Sequence, residues 1–154
     1  MQKDTGFTLL ELMVVIAMVA ILTAIAIPNA ISWRNNAKLN GDVLNFRGDL
    51  EMAKLRAIKE NDDVAVLFNA NGYEIFVDNG DGGGVADNWV RDGGEVLLTN
   101  KQLSGGVTMA TDFPNSRTEF TTRGRCNGGT AVITNSAGTT QNIVVSIIGR
   151  IRVQ

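Results

Sequence analysis

The amino-acid sequence predicts an α+β protein in which a long N-terminal helix packs on a mostly antiparallel β-sheet domain. Three observations lead to this fold class: an apolar run over residues 7–27, an apolar stripe at helical spacing over residues 39–57, and a series of short β-branched segments after residue 63. Of the 154 residues, those after the apolar run are enough for one ordinary domain.

The apolar run begins at Phe7, ends before Pro28 and contains one charged residue, Glu11. A helix of this length, with a rise of about 1.5 Å per residue, is roughly 30 Å long and matches the hydrocarbon core of a bilayer. The run is longer than the apolar region of an ordinary secretory signal, and no small-residue cleavage site closes it. We therefore expect a transmembrane helix over residues 7–28.

Glu11 is unusual in such a helix, because a carboxylate in a bilayer costs several kcal/mol unless it has a partner. No basic residue lies between Asp4 and Arg34, so the segment itself cannot neutralise the charge. The partner is either the α-amino group that cleavage after Gly6 would create on Phe7, or an amino group of another chain. Alternatively, the carboxylate reaches the headgroups from the helix end.

The segment GFTLLELMVVIAMVAILTAIAIPN resembles the N-terminal signature of type IV pilins and type II secretion pseudopilins. The resemblance implies a leader over residues 1–6, cleavage after Gly6 by a prepilin peptidase, and methylation of Phe7. It also implies that Glu11 registers each subunit against its neighbour and that Pro28 bends the helix. Residues 29–154 would then form a periplasmic domain on a single-pass anchor in the bacterial inner membrane, with other pilin or pseudopilin subunits as partners in a filament.

An amphipathic segment follows Pro28. Its apolar positions alternate in spacings of four and three, which places them on one face of a helix: Leu39, Val43, Phe46, Leu50, Ala53 and Ala57. Charged residues occupy other faces, so we expect this half of the helix to lie on a globular domain with its back in water. The segment ENDD at residues 60–63 is expected to end the helix.

Short segments rich in β-branched residues predict strands: VAVLF, YEIFV, EVLLT, EFTTR, TAVITN and NIVVSIIGRIRV. Asn71-Gly72 and the segment NSAGTTQ predict hairpins, and successive hairpins give antiparallel pairing. The overall plan and the last segment resemble the minor pseudopilin subgroup called GspH/FimT. This resemblance implies a structural subunit of a type IV pilus or a type II secretion pseudopilus.

Enzymatic chemistry finds little support in the composition. The chain has no histidine and one cysteine, Cys126, which excludes an intrachain disulfide, a Cys/His zinc site and a His-based triad. Because no nucleophile–base pair or cofactor motif is present either, we expect a non-enzymatic protein without a cofactor or a metal. Cys126 is either buried and inert or available between subunits.

The loop over residues 78–95 is rich in aspartate and glycine. Such oxygen ligands suit Ca²⁺, but the spacing matches no EF-hand. The favoured interpretation is a solvated connection, with a weak calcium site left open. Trp89 in this loop is either a core anchor or an exposed contact for a partner.

Charge is unevenly distributed. Residues 78–112 carry six acidic and two basic side chains, whereas residues 113–154 carry one acidic side chain and five arginines: Arg117, Arg123, Arg125, Arg150 and Arg152. If the last segment is one strand, Arg150 and Arg152 leave the same face roughly 6.5 to 7 Å apart, about the phosphate spacing of an extended nucleic-acid strand.

Gly149 leaves room for backbone approach beside these arginines, and GRIR resembles a C-terminal motif by which some members of the subgroup are thought to capture DNA. Two interpretations stay open. The arginines pair with acids of their own domain or of the next subunit, or the protein is a minor pilin that binds DNA non-specifically for uptake in natural transformation.

Overall fold

The computed structural model describes residues 7–154. The predicted leader, including Gly6, lies outside the described residues. The chain divides into two compact units, one ending at Arg34 and one spanning residues 35–154.

The first element is helix α1, Leu9–Glu60. It contains Pro28, and every side chain over residues 7–34 is exposed. The helix ends at Glu60 because Asn61 takes a left-handed conformation, with φ of 59°, and asparagine tolerates this geometry at a helix terminus. The predicted end of the helix at residues 60–63 is therefore confirmed.

Eight strands follow, and all of their pairings are antiparallel. Their bounds are β1 Val64–Asn69, β2 Gly72–Val77, β3 Leu97–Gln102, β4 Val107–Thr111, β5 Arg117–Phe120, β6 Gly129–Asn135, β7 Thr140–Val145 and β8 Ile151–Val153. They form two four-stranded sheets, in the orders β3-β2-β1-β5 and β4-β6-β7-β8. The α+β class is confirmed, with the strands divided between two sheets instead of one.

One core joins the second half of α1 to both sheets. All six residues of the predicted stripe are buried: Leu39, Val43, Phe46, Leu50, Ala53 and Ala57. Phe46 lies near the centre, with its ring 4.7 Å from that of Tyr73 and 5.9 Å from that of Phe68. The Tyr73 hydroxyl donates a hydrogen bond of 2.7 Å to Asp49 of the helix, so a polar contact fixes the helix beside the core.

Three strand predictions were wrong in their bounds. EVLLT is shifted along the chain, because β3 begins at Leu97 and ends at Gln102. NIVVSIIGRIRV is not one strand: β7 ends at Val145, and Gly149, with φ of 69°, turns the chain into β8. The N–H of Gly149 donates to the Ser146 carbonyl at 2.7 Å and closes this turn. EFTTR does not extend past Phe120, because residues 121–125 form a second turn.

Strand β4 was not predicted at all. Its sequence, VTMAT, mixes threonine with methionine and alanine and has two buried positions, Val107 and Met109. Pairing with β6 stabilises this strand more than its own β-propensity does, so the local sequence predicts the strand only weakly.

Candidate functional site

The start of α1 explains part of the position of Glu11. Its backbone N–H donates to the Thr8 hydroxyl oxygen at 3.2 Å, and the N–H of Leu12 donates to the Thr8 carbonyl at 3.2 Å. Thr8 and Glu11 have the spacing of a helix capping box, and a carboxylate in the first turn interacts favourably with the positive end of the helix dipole. This local role was not predicted, although the TLLE pattern at residues 8–11 signals it.

The Glu11 carboxylate takes part in none of the three ion pairs formed within residues 7–154. Its proposed partnership with an amino group therefore stays a prediction. The hydrogen bonds of this cap use only backbone N–H groups of the helix and the two oxygens of Thr8, so they do not involve the Glu11 carboxylate.

The helix around Glu11 is apolar on all sides. One window of 18 residues has a mean hydropathy of 2.7, and none of it is buried. Leu22 and Ile25 are each 67% exposed. Surface of this size is not stable in water, so the first unit is suited to a bilayer or to packing among similar helices.

A second apolar surface lies on the part of α1 that belongs to residues 35–154. At 100° per residue, five uncharged residues fall on the face opposite the buried stripe: Gly41, Leu44, Gly48, Met52 and Leu55. We call them the outer stripe. Leu44 is 66% exposed and Leu55 65%, and a Cβ atom at either glycine would meet nothing within 4 Å.

The expectation that this helix half lies on the globular domain with its back in water is confirmed, since the predicted stripe is buried and the opposite face is exposed. The apolar character of part of that exposed face was not predicted, although the sequence shows it as small and aliphatic residues that repeat every three or four positions.

The arginine hairpin comprises residues 146–152, which are the turn after β7 and the first two residues of β8. Arg152 lies in β8 opposite Val144, whereas Arg150 lies in the turn and not in a strand. Both line one shallow depression with Val144, Ser146 and Ile148. The shared face expected for the two arginines is present, although the turn and not a continuous strand creates it.

Gly149 joins the hairpin to its surroundings. It is buried, its carbonyl accepts a 2.8 Å hydrogen bond from the Lys54 ammonium, and a Cβ atom at this position would overlap the Gly124 carbonyl oxygen. The turn over residues 121–125 therefore contacts the arginine hairpin, and the exposed Arg123 and Arg125 of this turn lie near the hairpin.

Arg117 is placed differently. Its guanidinium lies 4.6 Å from the ring centre of Trp89, so it faces the loop of residues 78–95. Trp89 is half-buried and is thus neither a core anchor nor a free surface residue. None of the five arginines of residues 113–154 belongs to an ion pair within residues 7–154. Ion pairs inside the domain therefore do not fix the positions of their side chains.

Cys126 is a buried free thiol. Its sulfur lies 3.3 Å from the Ser146 carbonyl oxygen, and burial raises the pKa of the thiol. The first of the two interpretations, a buried cysteine, is confirmed.

The acidic loop is more ordered than a solvated connection. Asp78 and Glu95, at its two ends, are only 3% and 5% exposed. Asp78 accepts a 2.9 Å hydrogen bond from the N–H of Trp89, and Glu95 accepts bonds of 2.9 and 3.0 Å from the N–H groups of Gly80 and Asp92. Two carboxylates therefore organise the loop from inside.

Comparison with solved structures defines the class of fold. The minor pseudopilin EpsH from the type 2 secretion system of Vibrio cholerae has a TM-score of 0.61 at 14% identity, over 76% of this chain and 96% of that one. The type IV minor pilin FimU of Pseudomonas aeruginosa has a TM-score of 0.62 at 15% identity, over 79% and 92% of the two chains. At these identities the likeness establishes the fold, which is that of a minor pilin or pseudopilin.

Sequence comparison narrows the class to a family. The prokaryotic N-terminal methylation motif matches residues 1–27, and the family described as type II transport protein GspH matches residues 42–149. The second match covers well over half of the chain. The protein belongs to the GspH family, and its α1 helix and two sheets are those of a pseudopilin or minor pilin.

Curated relatives agree with this class. The type II secretion system core protein G of Pseudomonas aeruginosa is 33% identical over 95 residues, which is 60% of this chain and 63% of that protein. The type IV major pilin protein PilA of Myxococcus xanthus is 37% identical over 71 residues, 46% of this chain and 32% of that one. In each case the match spans less than two thirds of the relative.

Proposed function

We propose that this protein is a minor subunit that assembles into a type II secretion pseudopilus or a type IV pilus through its N-terminal helix. In this proposal a prepilin peptidase cleaves after Gly6, Phe7 is methylated, and the helix over residues 7–28 holds the subunit in the inner membrane with residues 29–154 in the periplasm. The observation that carries it is the helix itself, which is apolar on all sides and has one carboxylate at its start.

The chemistry of Glu11 supports assembly over simple anchoring. In the bilayer the carboxylate is costly without a partner, and no ion pair within residues 7–154 includes it. The α-amino group of a processed neighbouring subunit would neutralise it. Charge pairing would thus favour one axial register between subunits, which apolar contacts alone do not specify.

The outer stripe adds a second contact. Its two glycines permit another helix to approach the backbone closely, and Leu44 and Leu55 supply apolar area beside them. We expect this face to pack against a neighbouring subunit in the filament.

Processing is tested by intact-mass measurement on protein from cells with and without the peptidase. The expected mass lacks MQKDTG and carries one methyl group on Phe7. The change Gly6→Val should leave the leader attached. A mature mass that retains the leader in peptidase-containing cells would contradict this part of the proposal.

Assembly is tested by immunoblotting sheared filaments for three variants. Glu11→Gln removes the charge but keeps the backbone cap, so incorporation should fall severalfold. Thr8→Ala removes the cap but keeps the charge and serves as the matched control, with a small effect. Incorporation of Glu11→Gln at the level of the unmodified protein would indicate a carboxylate that merely reaches the headgroups.

The third variant combines Leu44→Ser with Leu55→Ser. Because both side chains are about two thirds exposed, domain stability should change by less than about 1 kcal/mol, whereas incorporation should fall. Leu97→Ser, at an exposed leucine of β3, is the control. Equal incorporation of all the leucine variants would remove the outer stripe from the interface.

A second candidate function, DNA binding for uptake, is favoured by one observation. Arg150 and Arg152 line one face, both are exposed, and no acid within residues 7–154 pairs with them. Contacts of arginines with phosphates carry no base information, so binding would be weak and would have little sequence preference.

The test titrates the full chain in non-ionic detergent with labelled duplex DNA at about 50 mM salt. Contact with some three to five phosphates gives a log–log salt slope of roughly −3 to −5. The double change Arg150→Gln with Arg152→Gln should abolish binding, whereas Arg47→Gln with Arg56→Gln, on the helix, should not. No binding by the unmodified protein at this salt concentration would remove the DNA hypothesis.

A further inference from the structure

Strand β8 lies at the edge of its sheet, with β7 on one side and, in the described part of the chain, no strand on the other. Its pairing with β7 continues past the strand, because Asn142 and Gln154 exchange two backbone hydrogen bonds of 3.0 and 2.9 Å. In an antiparallel ladder, hydrogen-bonded and non-hydrogen-bonded pairs alternate. Arg152, two residues from Gln154, therefore also bonds to β7, whereas the N–H and C=O groups of Ile151 and Val153 point away from it.

The outward groups of Ile151 and Val153 have no backbone hydrogen-bond partner within residues 7–154. The side chain of Ile151 is buried in the core, and that of Val153 packs against it. The strand is therefore held in place while two N–H donors and two C=O acceptors remain unpaired along its outer side. A row of unpaired backbone groups on an edge strand is a template for one more strand.

The charge on this edge selects against a second copy of β8. Arg150 and Arg152 are exposed, and neither belongs to an ion pair among the described residues. Two β8 strands side by side would bring these arginines together, and like charges opposite each other destabilise a sheet. Natural edge strands often carry charge for this reason. A strand with carboxylates at the matching positions would be attracted instead.

The geometry of the ladder determines where such carboxylates would lie. In an added antiparallel strand that bonds to Ile151 and Val153, the residue opposite Arg152 forms a non-hydrogen-bonded pair, with Cα atoms about 4.5 Å apart and side chains close together. A glutamate there lies on the same face as Arg152, and a second one, two residues along the strand, lies toward Arg150. The residues between the glutamates face the side of Ile151 and Val153, which favours apolar side chains.

An apolar surface beside the arginines favours a protein segment over a nucleic acid. Ile147 and Ile148 are 61% and 69% exposed, and Ile148 lines the same depression as Arg150 and Arg152. Aliphatic side chains of a protein partner would remove this surface from water, which is favourable, whereas a phosphate backbone has no apolar surface to offer. Arginine next to apolar surface is also typical of protein–protein interfaces.

We propose that the open edge of β8 binds an extended acidic segment of another protein as an added antiparallel strand. Backbone hydrogen bonds to Ile151 and Val153 provide affinity, and carboxylates at alternate positions, next to Arg150 and Arg152, provide selectivity. The partner segment is thus one in which acidic and aliphatic residues alternate. This edge is separate from Glu11 and from the outer stripe, so the proposal does not depend on how the subunit assembles.

Fluorescence anisotropy of a labelled peptide with the full chain in non-ionic detergent tests the proposal. The probe is a short peptide in which glutamate alternates with valine, and the control peptide carries lysine in place of glutamate. We expect saturable binding of the glutamate peptide and at least tenfold weaker binding of the lysine peptide. The double change Arg150→Gln with Arg152→Gln should weaken binding of the glutamate peptide severalfold.

Val153→Pro tests the backbone contact without changing any charge. Proline removes the outward N–H of this residue, and it is tolerated on an edge strand where that N–H faces solvent, so the bonds between β7 and β8 remain. Binding of the glutamate peptide should fall at least tenfold. Val153→Ala is the matched control, because it keeps the N–H, and it should change Kd by less than threefold. Both variants keep the two arginines, so their effect is separate from the DNA test.

A modified peptide tests the same contact on the unmodified protein and so avoids any folding defect of the proline variant. N-methylation of the valines leaves the charge of the glutamate peptide unchanged but removes the N–H groups that would donate to β8, and binding should be lost. Equal binding of the methylated and unmethylated peptides would overturn the proposal, since charge alone would then hold the peptide. The absence of saturable binding of the glutamate peptide up to about 1 mM, which corresponds to a weak complex, would also overturn it.

Discussion

Replacing Gly149 by alanine tests whether the contact between two turns shapes the arginine hairpin. Gly149 has a φ of 69°, and a non-glycine residue in this left-handed region costs roughly 1–2 kcal/mol. A Cβ atom would also overlap the Gly124 carbonyl oxygen and press on the Lys54 side chain. Overpacking of this kind costs about 1–3 kcal/mol, so the two effects together lower the free energy of unfolding by about 2–5 kcal/mol.

Gly138→Ala is the matched control. Gly138 also has a positive φ, 82°, but a Cβ atom there would meet nothing within 4 Å. It should therefore cost only the left-handed conformation, about 1–2 kcal/mol. The difference between the two variants isolates the contact between the turns.

Urea unfolding of the full chain in detergent, followed by fluorescence, measures this difference. With a slope of about 1–3 kcal/mol per molar urea, the midpoint of Gly149→Ala should lie roughly 1 M below that of Gly138→Ala. Equal midpoints would refute the reasoning, since they would mean that the turn over residues 121–125 moves aside at no cost.

Three further outcomes follow from buried groups. The pKa of Glu119 is raised, so the folded state holds this proton more tightly than the unfolded state, and stability is lost as pH rises through the folded pKa. In urea unfolding, Glu119→Gln should therefore be more stable than the unmodified protein at neutral pH and similar to it below about pH 4. Burial and the hydrogen bond to Asp49 raise the pKa of Tyr73 far above 10.0, so stability should fall as pH rises above that value, and Tyr73→Phe should flatten the fall. Cys126, buried with a raised pKa, should react slowly with iodoacetamide in the folded protein and quickly in urea, as mass spectrometry can follow.

The helix, its buried stripe and most of the antiparallel strands, though not β4, were predictable because each depends on local sequence patterns. The stripe from Leu39 to Ala57 repeats every three or four residues, and all six members are buried. The end of the helix also follows from local chemistry, through Asn61. These features need no knowledge of which segments meet in space.

The arginine hairpin and the internal order of the loop of residues 78–95 could not be predicted in the same way. The backbone at Gly149 lies so close to that of Gly124, 25 residues earlier in the sequence, that a Cβ atom has no room. The order of the loop depends on hydrogen bonds across it, such as the bond from the N–H of Trp89 to Asp78. Contacts between distant segments decide both, and a sequence pattern records only the residue types that take part.

The two apolar faces of α1 link the fold to assembly. Within residues 35–60, the buried stripe is covered by the sheets, whereas the outer stripe is left exposed by the domain itself. Exposed leucines at 66% and 65%, next to glycines that lower helix stability by about 1 kcal/mol each, are a cost to the isolated subunit. That cost has a physical reason if a neighbouring helix packs on the stripe, because glycine permits the close approach and leucine then becomes buried. The same helix would thus form the domain core on one face and the filament contact on the other, while the charge of Glu11 would select the register between subunits, as proposed above.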